Sequence, residues 1–129
     1  MTATNPTDGR PTLAPPVDVL REGDYIKLIV SVPGVRSDQL RIAMIGNRQL
    51  QIDGTVPYRH PIARELLAQA ELPDGAFART VDLPIPCAVE GATVDLRDGL
   101  LTIRLPLQHK PVPLTWESGM GGGNAAEPR

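Results

Sequence analysis

Apolar residues recur at every second position through the middle of the chain, and this period restricts the fold more than any other feature. Strict alternation of apolar and polar residues is typical of a β-strand with one buried face, whereas an amphipathic helix repeats every three to four residues. The alternating runs are Ile26, Leu28, Val30 and Val32; Leu40, Ile42 and Met44; Leu50 and Ile52; Phe77, Val81 and Leu83; Val94 and Leu96; and Leu101, Ile103 and Leu105. The sequence therefore predicts an all-β domain.

Turn residues separate these runs at short intervals. Gly46-Asn47 and Asp98-Gly99 each lie between two runs, and both dipeptides favour the positive φ of tight hairpin turns. Pro84 and Pro106 each follow a run and end it, because proline has no N–H to donate to a ladder. If Val17 to Leu20 is counted as the first strand, the sequence predicts about seven short strands. Such hairpins bury one face each by stacking, so we expect a two-sheet antiparallel β-sandwich of the immunoglobulin-like kind.

The composition narrows the possible partners of this domain. A chain of 129 residues most simply holds one domain. Its net charge is −2 and its basic residues are dispersed, which argues against a nucleic-acid partner. The N-terminal sequence lacks a signal-peptide pattern, and no apolar run is long enough to span a bilayer. We therefore predict a cytoplasmic protein that binds neither nucleic acid nor membrane.

The residues that could carry catalysis are few and scattered. Cys87 is the only cysteine, which excludes an internal disulfide and a multi-cysteine zinc site. His60 and His109 lie far apart and belong to no metal-binding motif. We interpret them as surface histidines and Cys87 as a small buried thiol, and predict no cofactor, no metal and no enzymatic activity.

The two ends of the chain and one internal stretch depart from the strand pattern. Residues 1–16 are rich in Pro and Thr and predict a flexible arm before a sandwich at 17–107. Residues 108–129 form an extension that ends in a glycine-rich flexible tail. Residues 61–75 fit either a short helix, which propensity favours, or a long loop carrying a strand at Leu66 to Ala70.

Two further features have open alternatives. Arg79 shares the alternating face of Phe77 and Val81, and a buried unpaired guanidinium is costly. It therefore lies at the edge of the core, the favoured alternative, or pairs with an acid across an interface. In "KPVPLTW", the prolines keep Val112 and Leu114 extended on one side. This segment either docks on an exposed sheet edge of another subunit or forms a last edge strand of its own domain.

Four motifs follow one another over residues 15–106: "PPVDVLREGDYIKLIVSVPGV", "NRQLQIDG", "ELPDGAFARTVDLP" and "VDLRDGLLTIRLP". In their order and spacing they resemble the small heat-shock protein family and its α-crystallin domain. The resemblance implies an ATP-independent holdase chaperone that binds unfolding proteins. The alternative is a non-chaperone assembly or adaptor module, including a p23-like co-chaperone, which the short polar arm favours.

The resemblance also assigns roles to particular residues. It implies a homodimer, or a larger homo-oligomer, in which the strand at Leu66 to Ala70 enters the sheet of a partner. The dimer-interface residues would be Leu66, Leu67, Glu71 and Arg79. The docking tail would use Val112 and Leu114. It would enter a neighbour's groove, between the strands at residues 39–45 and 92–97, lined by Leu40, Ile42, Met44, Val94 and Leu96.

Overall fold

Two antiparallel sheets form the fold in the computed structural model, which describes residues 3–4, 11–109 and 113–115. The strands are β1 Ala3–Thr4, β2 Pro11–Thr12, β3 Val17–Glu22, β4 Tyr25–Ser31, β5 Leu40–Ile45, β6 Gln49–Val56, β7 Gly75–Asp82, β8 Thr93–Arg97 and β9 Leu100–Pro106. One sheet of the sandwich has the order β3-β4-β9-β8 and the other β5-β6-β7, and β1 pairs with β2 in a separate two-stranded ribbon. Two 3₁₀ turns, Ser37–Gln39 and Arg64–Leu66, lie in the connections. The predicted β-sandwich is confirmed.

The alternating residues form the core between the two sheets. The buried side chains are Ile26, Leu28, Val30, Val32, Val35, Leu50, Ile52, Val56, Phe77, Val81, Leu83, Cys87, Leu101, Ile103, Leu105 and Leu107. Within the described ranges, no polar or charged residue is buried. Burial of one such aliphatic side chain contributes about 1.5–3 kcal/mol, so contact between the sheets is the main source of stability.

The Asp98-Gly99 turn joins β8 to β9 as the sequence predicts. Asp98 has a φ of 55° and Gly99 a φ of 77°, the pair of positive values that a type I′ hairpin turn requires. The Val32 N–H donates to the Gly99 carbonyl at 2.8 Å, which ties the turn to the residue that follows β4. A Cβ on Gly99 would lie 3.3 Å from Pro33 Cα, so this close approach also requires a glycine.

Residues 11–16 correct the prediction of a flexible arm over residues 1–16. The Leu13 N–H donates to the Ala76 carbonyl at 2.9 Å, and the Ala78 N–H donates to the Leu13 carbonyl at 2.9 Å. Leu13 is half-buried against the core. The composition of this segment does not reveal that β7 has an edge on which Leu13 can pair. The rest of the predicted arm, apart from β1, lies outside the described residues.

Residues 61–75 form an irregular loop that contains the 3₁₀ turn Arg64–Leu66. The short helix favoured by propensity is therefore wrong. Leu66 is 70% exposed, and a helix of this length needs an apolar surface against which to pack. The strand predicted at Leu66 to Ala70 does not form within the single chain. Because its predicted ladder is with a partner's sheet, it stays a prediction.

Substitution of Gly54 on β6, the central strand of the β5-β6-β7 sheet, tests how closely the residues of this sheet are packed. A Cβ there would lie 2.9 Å from Phe77 Cζ and closer still to the Gln39 carbonyl oxygen. We expect Gly54→Ala to lower the free energy of unfolding by about 1–3 kcal/mol in urea denaturation. The control Gln51→Ala, at an exposed position of β6, should change it by less than about 0.5 kcal/mol. Equal denaturation midpoints for Gly54→Ala and the unsubstituted protein would contradict this packing.

Candidate functional site

The two lateral sides of the sandwich are covered differently. After pairing with β7 at Leu13, the chain continues through residues 14–16 into β3. The edges of β7 and β3 therefore lie on the same side, and residues 13–16 run between them. β5 and β8 are at the opposite ends of their sheets, so they border the other side.

The β5–β8 border consists of the inward side chains of these two edge strands: Leu40, Ile42, Met44, Val94 and Leu96. Leu40, Ile42 and Met44 are half-buried and pack against the core, as does Leu96. Val94 is 54% exposed. In the part of the chain that the structure describes, β5 pairs only with β6 and β8 only with β9. The border thus combines accessible apolar side chains with two strand edges that have no ladder partner.

Charged pairs occupy the outer faces next to this border. Arg41 Nε donates to Asp53 Oδ1 at 3.2 Å, and this hydrogen bond to Asp53 raises the pKa of Arg41. Arg97 lies 3.6 Å from Asp95. Exposed pairs of this kind contribute little to stability, but charges beside an edge strand disfavour indiscriminate edge-to-edge pairing. These charges limit apolar contact to the five side chains of the border, which form an apolar strip.

Of the predicted docking tail, the structure describes Leu114, which is not inserted into its own domain. Leu114 is 69% exposed in the structure, so it is not buried in the β5–β8 border of the same chain. Val112 lies outside the described residues. The docking role of both residues stays a prediction about a neighbouring subunit.

Arg79 has a partner that neither sequence alternative proposed. It is half-buried opposite Ile52 in the β6-β7 ladder. Its Nη1 donates to the main-chain carbonyl of Pro15 at 2.9 Å. The guanidinium therefore anchors residues 13–16 to β7. No sequence signal marks this contact, because its acceptor is a main-chain oxygen in a segment that resembles a flexible arm.

The loop between β6 and β7 is braced on its own subunit. Arg64 pairs with Asp74 through two hydrogen bonds, one of which joins Nη1 and Oδ2 at 2.9 Å. The Asp74 side chain is 6% exposed, and its hydrogen bond raises the pKa of Arg64. Arg64 also lies over the Tyr58 ring at 4.7 Å. Sequence reasoning missed this pair.

The other residues predicted at the dimer interface lie on the same loop. Leu66 is largely exposed, Leu67 is half-buried and Glu71 is exposed. The Gln69 side-chain amide donates to the Glu71 carboxylate. The loop therefore presents apolar surface at Leu66, whereas Arg79 lies on β7 against residues 13–16. Among the described residues, no hydrogen bond or ion pair joins Arg79 to Leu66, Leu67 or Glu71.

The residues considered for chemistry remain separate. Cys87 is buried, its thiol donates to the Ile85 carbonyl at 3.3 Å, and burial raises the pKa of this thiol. A raised pKa leaves less thiolate at neutral pH and makes Cys87 a poor nucleophile. His60 packs edge-on against Tyr58. The described ranges contain no group of three His, Cys, Asp or Glu side chains arranged to hold a metal ion, and no helix in them is long and apolar enough to cross a membrane.

Comparison with known protein families decides the class of this sandwich. The family model for the Hsp20/alpha crystallin family matches residues 18–115. The chain belongs to that family. The members of this small heat-shock protein family are chaperones that are generally not enzymes, so membership indicates a chaperone-type role. The resemblance found in the four sequence motifs is confirmed.

Individual relatives of this small heat-shock protein support the same assignment. Spore coat protein P of Bacillus subtilis is 30% identical over 95 residues, which are 74% of this chain and 65% of that protein. The crystal structure of hspA from Xanthomonas axonopodis is 28% identical with a TM-score of 0.67, over 75% of this chain and 96% of that one. Heat shock protein 16.0 of Schizosaccharomyces pombe shares the fold, with a TM-score of 0.68 at 24% identity, over 82% of this chain and 97% of that one.

The hydrogen bond between Arg79 and Pro15 generates a prediction about residues 13–16. Arg79→Met keeps the aliphatic stem but removes the donor, and a typical hydrogen bond contributes about 0.5–1.5 kcal/mol. We expect the amides of Leu13 and Ala78, which join this segment to β7, to exchange with solvent about tenfold faster by hydrogen exchange. Arg97→Met, at an exposed position of β8, is the matched control and should leave both amides unchanged. Unaltered exchange in Arg79→Met would show that Arg79 does not hold the segment.

Proposed function

We propose that this small heat-shock protein is an ATP-independent holdase that binds unfolding proteins and prevents their aggregation. The observation that carries the proposal is the β5–β8 border. An unfolding protein exposes extended apolar segments, and such a segment can pair with an edge strand while its side chains enter the apolar strip. Neither step needs a nucleotide, and we place this activity in the cytoplasm.

The energetics favour weak binding at each border. Burying a Val and a Leu side chain yields about 3–6 kcal/mol before costs, and ordering and association consume much of that amount. A single border would therefore release its client readily. Several borders in one assembly raise the overall affinity without any new contact, and holding clients lowers the free concentration on which aggregation depends.

The assembly itself is proposed to use the same surfaces. Val112 and Leu114 of one subunit would dock in the β5–β8 border of a neighbour. Leu66, Leu67, Glu71 and Arg79 would contribute to a homodimer in which the loop reaches the partner's sheet. The exposure of Leu66 and Leu114 supports this arrangement, because both side chains have apolar surface without cover in the single chain. Departure of dimers from a larger assembly would free borders for clients.

A second candidate is a non-chaperone assembly module built on the same sandwich. The likeness to a protein named spore coat protein P favours it. Such a module would bind one defined partner, whereas a holdase binds many denatured proteins. Recovery of a single partner on the purified protein would support the assembly module, and recovery of a heterogeneous set after heating would support the holdase.

A light-scattering assay with a heated client protein tests the holdase proposal. We expect the protein to suppress aggregation at equimolar subunits without ATP. Val94→Asp places a charge in the β5–β8 border at an exposed position, so it should require several-fold more protein for equal suppression. The matched control Thr93→Asp, on the outer face of the same strand, should match the unsubstituted protein. Absence of suppression at several-fold excess would refute the holdase proposal.

Truncation after Lys110 tests the docking tail. The shortened chain lacks Val112 and Leu114 but keeps the whole sandwich, so we expect any assembly larger than a dimer to become smaller by native mass spectrometry. The double substitution Val112→Ser with Leu114→Ser should have the same effect, and Thr115→Ser, the control, should have none. If the mass distribution of the truncated protein is unchanged, neither residue joins subunits.

A further inference from the structure

An apolar pocket of about 600 Å³ lies on the β3/β7 side of the sandwich, away from the β5–β8 border. It is bordered by residues 13–16, the residues at the end of β4, and the loop between β6 and β7. Its apolar lining includes Leu13, Val32, Val56, Leu72 and Phe77. The volume is within the range of small-molecule sites, which is about 300–1,000 Å³.

The walls of this pocket offer few main-chain partners to a ligand. They include four prolines, Pro15, Pro16, Pro33 and Pro73, and proline has no N–H. Each of the four carbonyls already accepts a hydrogen bond: from Arg79, from the Ser31 N–H and, for Pro33 and Pro73, from Arg59. The N–H and carbonyl of Leu13 are also used in pairing with β7.

This shortage of main-chain N–H donors in the pocket wall distinguishes between two kinds of apolar ligand. A peptide segment in the pocket would bring main-chain N–H and C=O groups that find few partners there. Each such group left unpaired on burial costs about 1–3 kcal/mol. An alkyl chain has no polar groups and incurs no such cost. The pocket therefore suits a hydrocarbon chain better than a peptide.

Arg59 places a positive charge beside the pocket. Its Nη1 donates to the Pro73 carbonyl at 3.2 Å and its Nη2 to the Pro33 carbonyl at 3.3 Å. A guanidinium has five N–H donors, so the Nε donor and one donor on each terminal nitrogen remain. Among the residues that the structure describes, no carboxylate lies within 4.0 Å of Arg59. The remaining donors suit a carboxylate, which a guanidinium binds with two parallel hydrogen bonds.

We propose that this pocket binds a free single-chain fatty acid, with the alkyl chain between the proline walls and the carboxylate on Arg59. The site lies on the opposite side of the sandwich from the surface proposed for clients, so its occupancy can be measured without any aggregation assay. Its existence does not depend on the holdase proposal. In the proposed homodimer it requires that only the middle of the loop, Leu66 to Ala70, reaches the partner, while Arg59, Leu72 and Pro73 keep their place in the pocket wall.

Fluorescence titration with cis-parinaric acid, a fluorescent long-chain carboxylate, tests the site on the full-length protein. We expect the acid to bind at least about tenfold more tightly than its methyl ester, because a charge-assisted hydrogen bond is lost in the ester. Added salt should weaken binding of the acid and leave binding of the ester unchanged. Equal affinity for acid and ester would overturn the proposal.

Two pairs of variants locate the binding site. Arg59→Gln should weaken binding of the acid about tenfold, Arg59→Lys should restore most of it, and Arg97→Gln should have no effect. Leu72→Asp puts a negative charge on the pocket wall and should also weaken binding, whereas Val89→Asp, at an equally exposed position outside the lining, should not. Leu72 and Val89 are 62% and 63% exposed, so both variants should fold.

Competition experiments give the remaining outcomes. Oleate should displace the probe, which supports the site, and an uncharged apolar peptide should not. Displacement by the peptide at concentrations similar to those of oleate would overturn the preference for an alkyl chain. Binding to anionic phospholipid vesicles without binding of the monomeric acid would overturn the proposal in favour of a membrane surface.

Discussion

Apolar contact between the inner faces of the two sheets is the interaction on which the rest of the structure depends. Every residue buried in the described core is hydrophobic, so the sheets are held by side-chain packing without a buried polar network. Such packing is complete only where strands face strands. At the outermost strands the inward side chains have a neighbour on one side only, and Leu40, Ile42 and Met44 are consequently half-buried. The surface proposed for client binding follows directly from the finite width of the sandwich.

The strand edges on the two lateral sides of the sandwich are covered differently. On one side, residues 13–16 pair with β7 and are anchored by Arg79, so the edges of β3 and β7 are joined by the protein's own backbone. On the other side, no described strand pairs with the outer edges of β5 and β8. Charged side chains on the outer faces lie beside the apolar strip. As a result, the β3/β7 side has an apolar pocket, whereas the β5–β8 border is a surface that suits extended segments.

Much of this fold could be predicted from the sequence because strand formation depends on local patterns. The alternation at Leu101, Ile103 and Leu105 and the turn at Asp98-Gly99 are both local, and both are found in the structure. The contacts of Arg79 with Pro15 and of Arg59 with Pro33 are different, since each joins a side chain to a distant carbonyl. Every residue has a main-chain carbonyl, so the residue type does not reveal which carbonyl accepts such a hydrogen bond. The helix favoured at residues 61–75 was wrong because propensity ignores whether a helix has a surface to cover.

Hydrogen–deuterium exchange on a complex with an unfolding client tests the central claim most directly, because it reports which strand edges the client covers. The account predicts slower amide exchange in β5 and β8 when the client is bound, with little change in β4, which is paired on both sides in its sheet. Protection confined to other surfaces, with β5 and β8 exchanging as in the free protein, would contradict it.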